Sequence, residues 1–389
     1  MKPIRVLHVV GSMNRGGVET WLMHVLRRID RRRLRMDFLV HTEQPAAYDA
    51  EIEALGSRIF RCPYPHNPPR YANRFFEIVK RLGPFQVVHS HVHHFSGFTL
   101  WLGRMAGIPI RIAHSHNDTR LPELHAGFAR RLYLDAAERS IRLNCTRGLA
   151  VSEPAAADLF GPGWRGDPRF EIFYCSIDLA PFEEAIDAGA VRADLGLSLE
   201  DVVFGHVGSF SPQKNQMFLV DVAAEVLRRE PHAKFIFVGD GLLRASVERR
   251  FRQAGLESRA IFAGVRPDVP RLLRGAIDVG IFPSIHEGLP LAMIEMQAAG
   301  LPCLLSANVA EEAVINPDLV ERLELGLGAS EWARRACALA KNTKYDGRRA
   351  LDVVRSSPFA ITHRLAQLGQ IYVTKPDQTM ALPQEDVIA

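Results

Sequence analysis

Apolar residues fill positions 4–10 almost continuously and stop at a glycine-bearing turn. From 18 to 29 they recur every three to four positions instead. Short apolar runs bounded by turn residues read as buried strands, and the three-to-four spacing reads as one face of a helix. The same alternation predicts strands at 36–41, 58–61, 86–90, 110–114, 149–152 and 170–174, with helices at 73–82, 95–106, 128–141 and 154–160 between them. Residues 175–201 are less patterned and read as a linker. A second series follows, with strands at 202–207, 234–238, 260–263, 279–282 and 303–306 and helices near 216–229, 242–254, 269–273 and 289–299. Strand–helix alternation of this kind implies a parallel sheet covered by helices on both faces. The pattern therefore predicts an α/β chain of two doubly wound units in tandem. Residues 351–372 are helical in spacing, and the polar, proline-containing segment 376–389 is expected to fray.

Composition narrows the class. The chain has 389 residues, 47% of them hydrophobic and 24% charged, as in a soluble two-domain protein. It contains no apolar run long enough to span a bilayer and no secretory leader pattern. The five cysteines are scattered and never spaced as Cys-x-x-Cys, so reduced thiols in a cytoplasmic protein are expected. The net charge of +4 is uneven: residues 1–180 are basic and the remainder is acidic. Arg27, Arg28, Arg31, Arg32, Arg33 and Arg35 crowd the end of the first predicted helix. They suit a solvated helix C-terminus, or a basic surface resting on anionic lipid headgroups. No aromatic residues interleave with them, which argues against nucleic acid as a partner.

Candidate chemistry lies at the predicted strand ends. Glu287 sits in a loop and Glu295 eight positions later in a helical pattern, so both carboxylates fall near one helix face. Backbone N–H groups of Gly288, Leu289 and Leu291, around Pro290, lie at the helix mouth, where an anion is favoured. Gly11-x-x-x-x-Gly16-Gly17 occupies the first strand-to-helix turn but is neither a dinucleotide fingerprint nor a phosphate-loop motif. Gly208 and Ser209 precede Lys214, which can act as a point charge on a diphosphate; Gly239-Asp240-Gly241 forms a second tight turn. His89, His91, His93 and His94 crowd one strand end and His114 and His116 the next. No carboxylate falls at ligand spacing, so a metal site is not expected there. Core or loop histidines account for most of them, while His116 leaves the carboxyl end of a strand, where open α/β sheets bind ligands.

Taken in order, these segments resemble glycosyltransferase family 4, nucleotide-sugar-dependent retaining enzymes, and the branch found in bacterial capsule and exopolysaccharide clusters. The resemblance rests on Gly16-Gly17-Val18-Glu19, Val88-His89-Ser90-His91, Ile112-Ala113-His114-Ser115-His116-Asn117, Ala150-Val151-Ser152, Gly205-His206-Val207-Gly208 with Gln213-Lys214-Asn215, Val238-Gly239-Asp240-Gly241, and the Glu287–Glu295 segment. It implies a GT-B architecture, two Rossmann-like domains facing across a cleft. The expected parts are an acceptor domain at 1–180, a donor domain at 181–355 and a helix at 356–375 returning to the first domain. It also implies metal-independent transfer without a cofactor, from a nucleotide-sugar donor (first a UDP-sugar) to a lipid-linked or glycan acceptor. Glu295 would hold the ribose, Glu287 the sugar hydroxyls and Lys214 the diphosphate. Gly16 and Gly17 would lie beside the donor phosphates, and His116 near the reacting centre. Localisation would be cytoplasmic, with peripheral contact at the inner face of the cell membrane. The family's arginine after Gly208 is Ser209 here, so Arg15 or Arg266 substitutes for it, or the enzyme is weakened. A weakened scaffold subunit and a sugar-nucleotide 2-epimerase remain the alternatives.

Overall fold

The computed structural model describes residues 2–120, 126–342 and 346–374; the expected frayed tail at 376–389 lies outside the described residues. The chain divides into two compact units: residues 1–175 with the segment from 361 onward, and residues 176–360. The division thus falls after Cys175 where the sequence suggested 180, and the chain returns at Ile361 where it suggested 356.

The first unit holds a seven-stranded sheet: β1 (Ile4–Val10), β2 (Leu34–Val40), β3 (Ile59–Arg61), β4 (Val87–Ser90), β5 (Ile110–Ser115), β6 (Arg147–Ala150) and β7 (Phe170–Ile172). Its order is β3-β2-β1-β4-β5-β6-β7, and every pairing is parallel. β1 and β4 flank the point where strand order reverses, the place at which such sheets open a crevice at their carboxyl ends. The helix Ile361–Val373 belongs to this unit. Its Tyr372 hydroxyl meets His89 Nδ1 at 2.8 Å, and Arg364 lies over the Phe173 and Tyr174 rings.

The second unit holds β8 (Val202–Val207), β9 (Ala233–Val238), β10 (Ala260–Gly264), β11 (Val279–Phe282), β12 (Cys303–Ser306) and β13 (Val320–Leu323), in the order β10-β9-β8-β11-β12-β13. All its pairings are parallel too. Its core buries Phe204, Phe235, Phe237, Phe251 and Trp332.

Three expectations change. The linker 175–201 carries helices Ala180–Glu183 and Ala188–Asp194; the Asp187 side chain caps the second, and Arg192 pairs with Asp278 at 2.8 Å. Tertiary anchoring orders a segment whose own pattern is weak. The helical stretch 351–372 is two helices, Gly347–Arg355 and Ile361–Val373, parted around Pro358, which cannot continue a helix. The helix expected from 289 begins at Leu291, because Pro290 holds its predecessor Leu289 out of helical conformation.

Candidate functional site

In the second unit the loops after β8 and β11, neighbouring strands, are tied together. The Ile285 N–H donates to the Gln213 carbonyl at 2.8 Å, and Asn215 Nδ2 donates to the Pro283 carbonyl at 3.1 Å. Asn215 reaches this position with φ +56°, a left-handed conformation that asparagine tolerates. The ties set Lys214 against Glu287. Lys214 Nζ donates to Glu287 Oε2, and Ser284 Oγ donates to Glu287 Oε1 at 2.6 Å. The carboxylate side chain is 5% exposed and the lysine 16%, so the pair is well shielded from water. Removing either partner leaves the other without its counter-charge in a shielded place.

The loop after β9 packs on the loop after β8, backbone to backbone. Gly239 and Gly241 have φ of +137° and +153°. A Cβ on Gly239 would come within 2.1 Å of the Gly208 carbonyl, so only glycine fits. The helix expected from 242 begins two residues later, beyond Asp240. The Asp240 Oδ1 accepts from the Gly241 N–H at 2.7 Å, and the helix starts at Arg244, which pairs with Asp240.

Ser209 is exposed, and its carbonyl is held by Gln216 Nε2 at 2.7 Å. Arg266, one suggested substitute for the missing cation, is engaged by Asp268 through two contacts of 2.8 Å. Arg15, the other, stacks on Tyr48 in the first unit. Glu295 lies on the helix Leu291–Ala298, only partly accessible, and burial pushes its carboxyl up to about 7. With the helix starting at Leu291, the Gly288 and Leu289 N–H groups belong to the entering loop rather than to the first helical turn.

In the first unit Gly16 is the N-cap of the helix Gly17–Arg28. The space beside its Cα is filled by the Glu19 carboxylate, within 2.4 Å of where a Cβ would sit. Burial raises that carboxyl to about 7, so near neutral pH its charged and uncharged forms are comparable and it opposes an incoming anion less.

The histidines converge. β1 pairs His8 with His89, and the two-residue period of β4 and β5 keeps His91, His114 and His116 on that face. His8 Nδ1 meets His91 Nε2 at 3.0 Å, His91 Nδ1 meets His116 Nε2 at 2.8 Å, and His116 Nδ1 faces Cys175 Sγ at 3.5 Å. His89 and His114 stack at 5.3 Å, and Trp21 presents its edge to His114. Burial, then the neighbouring imidazoles, hold His89, His91 and His116 well below the usual histidine range. His93 and His94 pair with each other outside this group. Spacing had separated the two histidine runs and missed His8; strand register, invisible in one sequence, joins them.

Part of the arginine-rich surface is neutralised locally, Arg27 by Glu51 and Arg32 by Asp30. Among the described residues no helix is long and apolar enough to cross a membrane.

The comparisons with known proteins agree with this layout. Residues 16–169 match the family model "Glycosyl transferase 4-like domain", and residues 201–342 match "Glycosyl transferases group 1". The putative glycosyltransferase EpsF of Bacillus subtilis is 36% identical over 372 residues, covering 94% of this chain and 92% of EpsF. An Escherichia coli UDP-Gal:α-D-GlcNAc-diphosphoundecaprenol α-1,3-galactosyltransferase is 29% identical, over 57% of this chain and 58% of its own. The crystal structure of Anabaena HepE with UDP and glucose superposes with a TM-score of 0.80 at 18% identity, covering 94% of this chain and 98% of HepE. With EpsF 36% identical along nearly its whole length and both family models matched, the chain belongs to glycosyltransferase family 4, in its bacterial exopolysaccharide and capsule branch, and has the GT-B fold.

Proposed function

We propose that the protein moves a hexose from a UDP-sugar to a lipid-linked or polysaccharide acceptor, with retention at the anomeric carbon and without a metal ion. The observation that carries this reading is the shielded Lys214–Glu287–Ser284 cluster at the switch point of the second sheet, with Glu295 on the helix behind it. A nucleoside diphosphate sugar presents hydroxyls, a diphosphate and a ribose in a row. Glu287 takes the hydroxyls, Lys214 the diphosphate and Glu295 the ribose. The leaving diphosphate gains one negative charge as its bond to the anomeric carbon breaks, so stabilising it is the main catalytic task. Gly16, Gly17, Gly208, Gly239, Gly241 and the Gly288–Leu289 N–H groups are assigned to the donor, and His116 to the acceptor side.

The E. coli relative named above, which acts on a diphosphoundecaprenol-linked sugar, supports a lipid-linked acceptor, and the UDP bound to HepE supports a uridine donor. Exposed Met105, Phe128 and Leu132 lie among arginines of the first unit and favour peripheral contact with an anionic membrane at its cytoplasmic face. The test is calorimetry with UDP-sugars: Glu295→Ala should abolish or strongly weaken donor binding, and an unchanged affinity would overturn the assignment.

A second reading, a weakened subunit that binds without fast transfer, is favoured by Ser209 and by the pairing of Lys214 with Glu287, which leaves the diphosphate one partly committed cation. Ser209→Arg separates the two. Faster transfer in the variant supports an enzyme short of one cation, and unchanged nucleotide affinity and transfer removes the cation account.

A further inference from the structure

The five converging imidazoles of the first unit are more than the proposed transfer uses, and their arrangement is not that of an ordinary core. One nitrogen from each of His91, His114 and His116 lies within 4.8 Å of the other two. His114 is fully buried, and neither of its ring nitrogens has a hydrogen-bond partner of good geometry. A buried polar group left in that state is costly, and a ligand that engages it relieves the cost. His91 and His116 are partly accessible, which opens a path from solvent to this trio. The companion trio of His8, His89 and His91 has two fully buried members, and His89 is already committed to Tyr372.

We infer that His91, His114 and His116 form a binding site for a divalent transition-metal ion of the zinc, cobalt or nickel class. Ligand type supports this choice. Three neutral imidazoles without a carboxylate suit these ions and not magnesium or calcium, which take oxygen donors. The separations fit as well. Metal–nitrogen bonds of about 2.0–2.1 Å place donors on a tetrahedral ion roughly 3.3 Å apart. His91 Nδ1 and His116 Nε2, now 2.8 Å apart around a shared proton, need only part slightly and lose that proton to their outer nitrogens.

Those outer nitrogens already face groups that can accept from them in the matching tautomer, the feature that fixes tautomers around bound metals. His91 Nε2 faces His8 Nδ1 at 3.0 Å, and His116 Nδ1 faces Cys175 Sγ at 3.5 Å. Each imidazole remains neutral and keeps one N–H, so the exchange balances without net proton release. Three imidazoles leave the fourth position of a tetrahedral ion to water. An ion there occupies the His116 nitrogen, so it acts as an inhibitor of transfer and not as its cofactor. Only this last consequence rests on the transferase reading.

The test is titration of the full chain, free of substrate, with Co²⁺ followed by visible ligand-field absorption, and with Zn²⁺ by calorimetry. Wild type, His114→Gln and the less buried His91→Gln are compared, with circular dichroism confirming that each folds. The expected result is one ion per chain with the intense absorption of four-coordinate cobalt, and affinity lowered by at least about tenfold in either folded variant. Weak six-coordinate absorption, or affinity unchanged in both variants, would overturn the inference. Because no sugar nucleotide is present, that failure would leave the transferase reading standing.

Discussion

Glu295 gives a test in which stability and function pull in opposite directions. Burial raises its carboxyl from 4.5 to about 7, so between these values the folded chain keeps a proton that the unfolded chain has released. Stability therefore falls as pH rises through this window, and the loss is complete above the folded value. At about 1.4 kcal/mol per pKa unit, the charged carboxylate costs the fold on the order of 3 kcal/mol above neutrality. Glu295→Gln keeps the shape and removes the charge. Urea denaturation should find wild type and variant nearly equal near pH 4, and the variant more stable by up to about 3 kcal/mol above roughly pH 8. The lowered histidines and the raised Glu19 titrate in both proteins and cancel in the difference. The same variant should bind a UDP-sugar about 10- to 100-fold more weakly, the worth of one hydrogen bond to a charged group. A stability difference that does not change with pH would refute the burial argument, and unchanged donor affinity would refute the ribose assignment.

Other perturbations discriminate further. Lys214→Ala strands the Glu287 carboxylate, with only Ser284 left to it among the described residues, and should cost about 3 kcal/mol in chemical denaturation while abolishing donor binding. Ser209→Arg restores a second cation beside the proposed diphosphate and should tighten UDP binding by about tenfold in calorimetry, the scale of one charge-assisted hydrogen bond. Tyr372→Phe removes the hydroxyl from His89, whose other nitrogen also lacks a partner. It should lower stability by about 1–3 kcal/mol, read as a reduced melting temperature.

Much of this molecule is legible in its sequence, for a physical reason. Buried parallel strands are short unbroken apolar runs, so the tandem alternation and its loops could be read directly, as with 202–207 and 279–282. Elements stabilised by contact rather than by pattern were not legible. The half-buried edge strand Val320–Leu323 carries Glu321 and Arg322, and the helix Ala188–Asp194 depends on its Asp187 cap and on Arg192 reaching Asp278. At the site, the candidates Glu287, Lys214 and Glu295 could be named from spacing. The direct pairing of Lys214 with Glu287 could not, because it depends on how two loops from neighbouring strands are tied through Gln213, Asn215 and Pro283. The histidine group was hidden for the same reason, since the register that brings His8 to His89 is a property of the sheet.

One reaction tests sugar transfer directly. The protein is incubated with radiolabelled UDP-sugars and a diphosphoundecaprenol-linked sugar in anionic vesicles, and the products are separated by phase and analysed for anomeric configuration. Label should move into the lipid phase with release of UDP, the new bond having the configuration of the donor, and Glu287→Gln should give no transfer. Label that stays in the nucleotide, whether intact or as an epimerised sugar, would contradict sugar transfer.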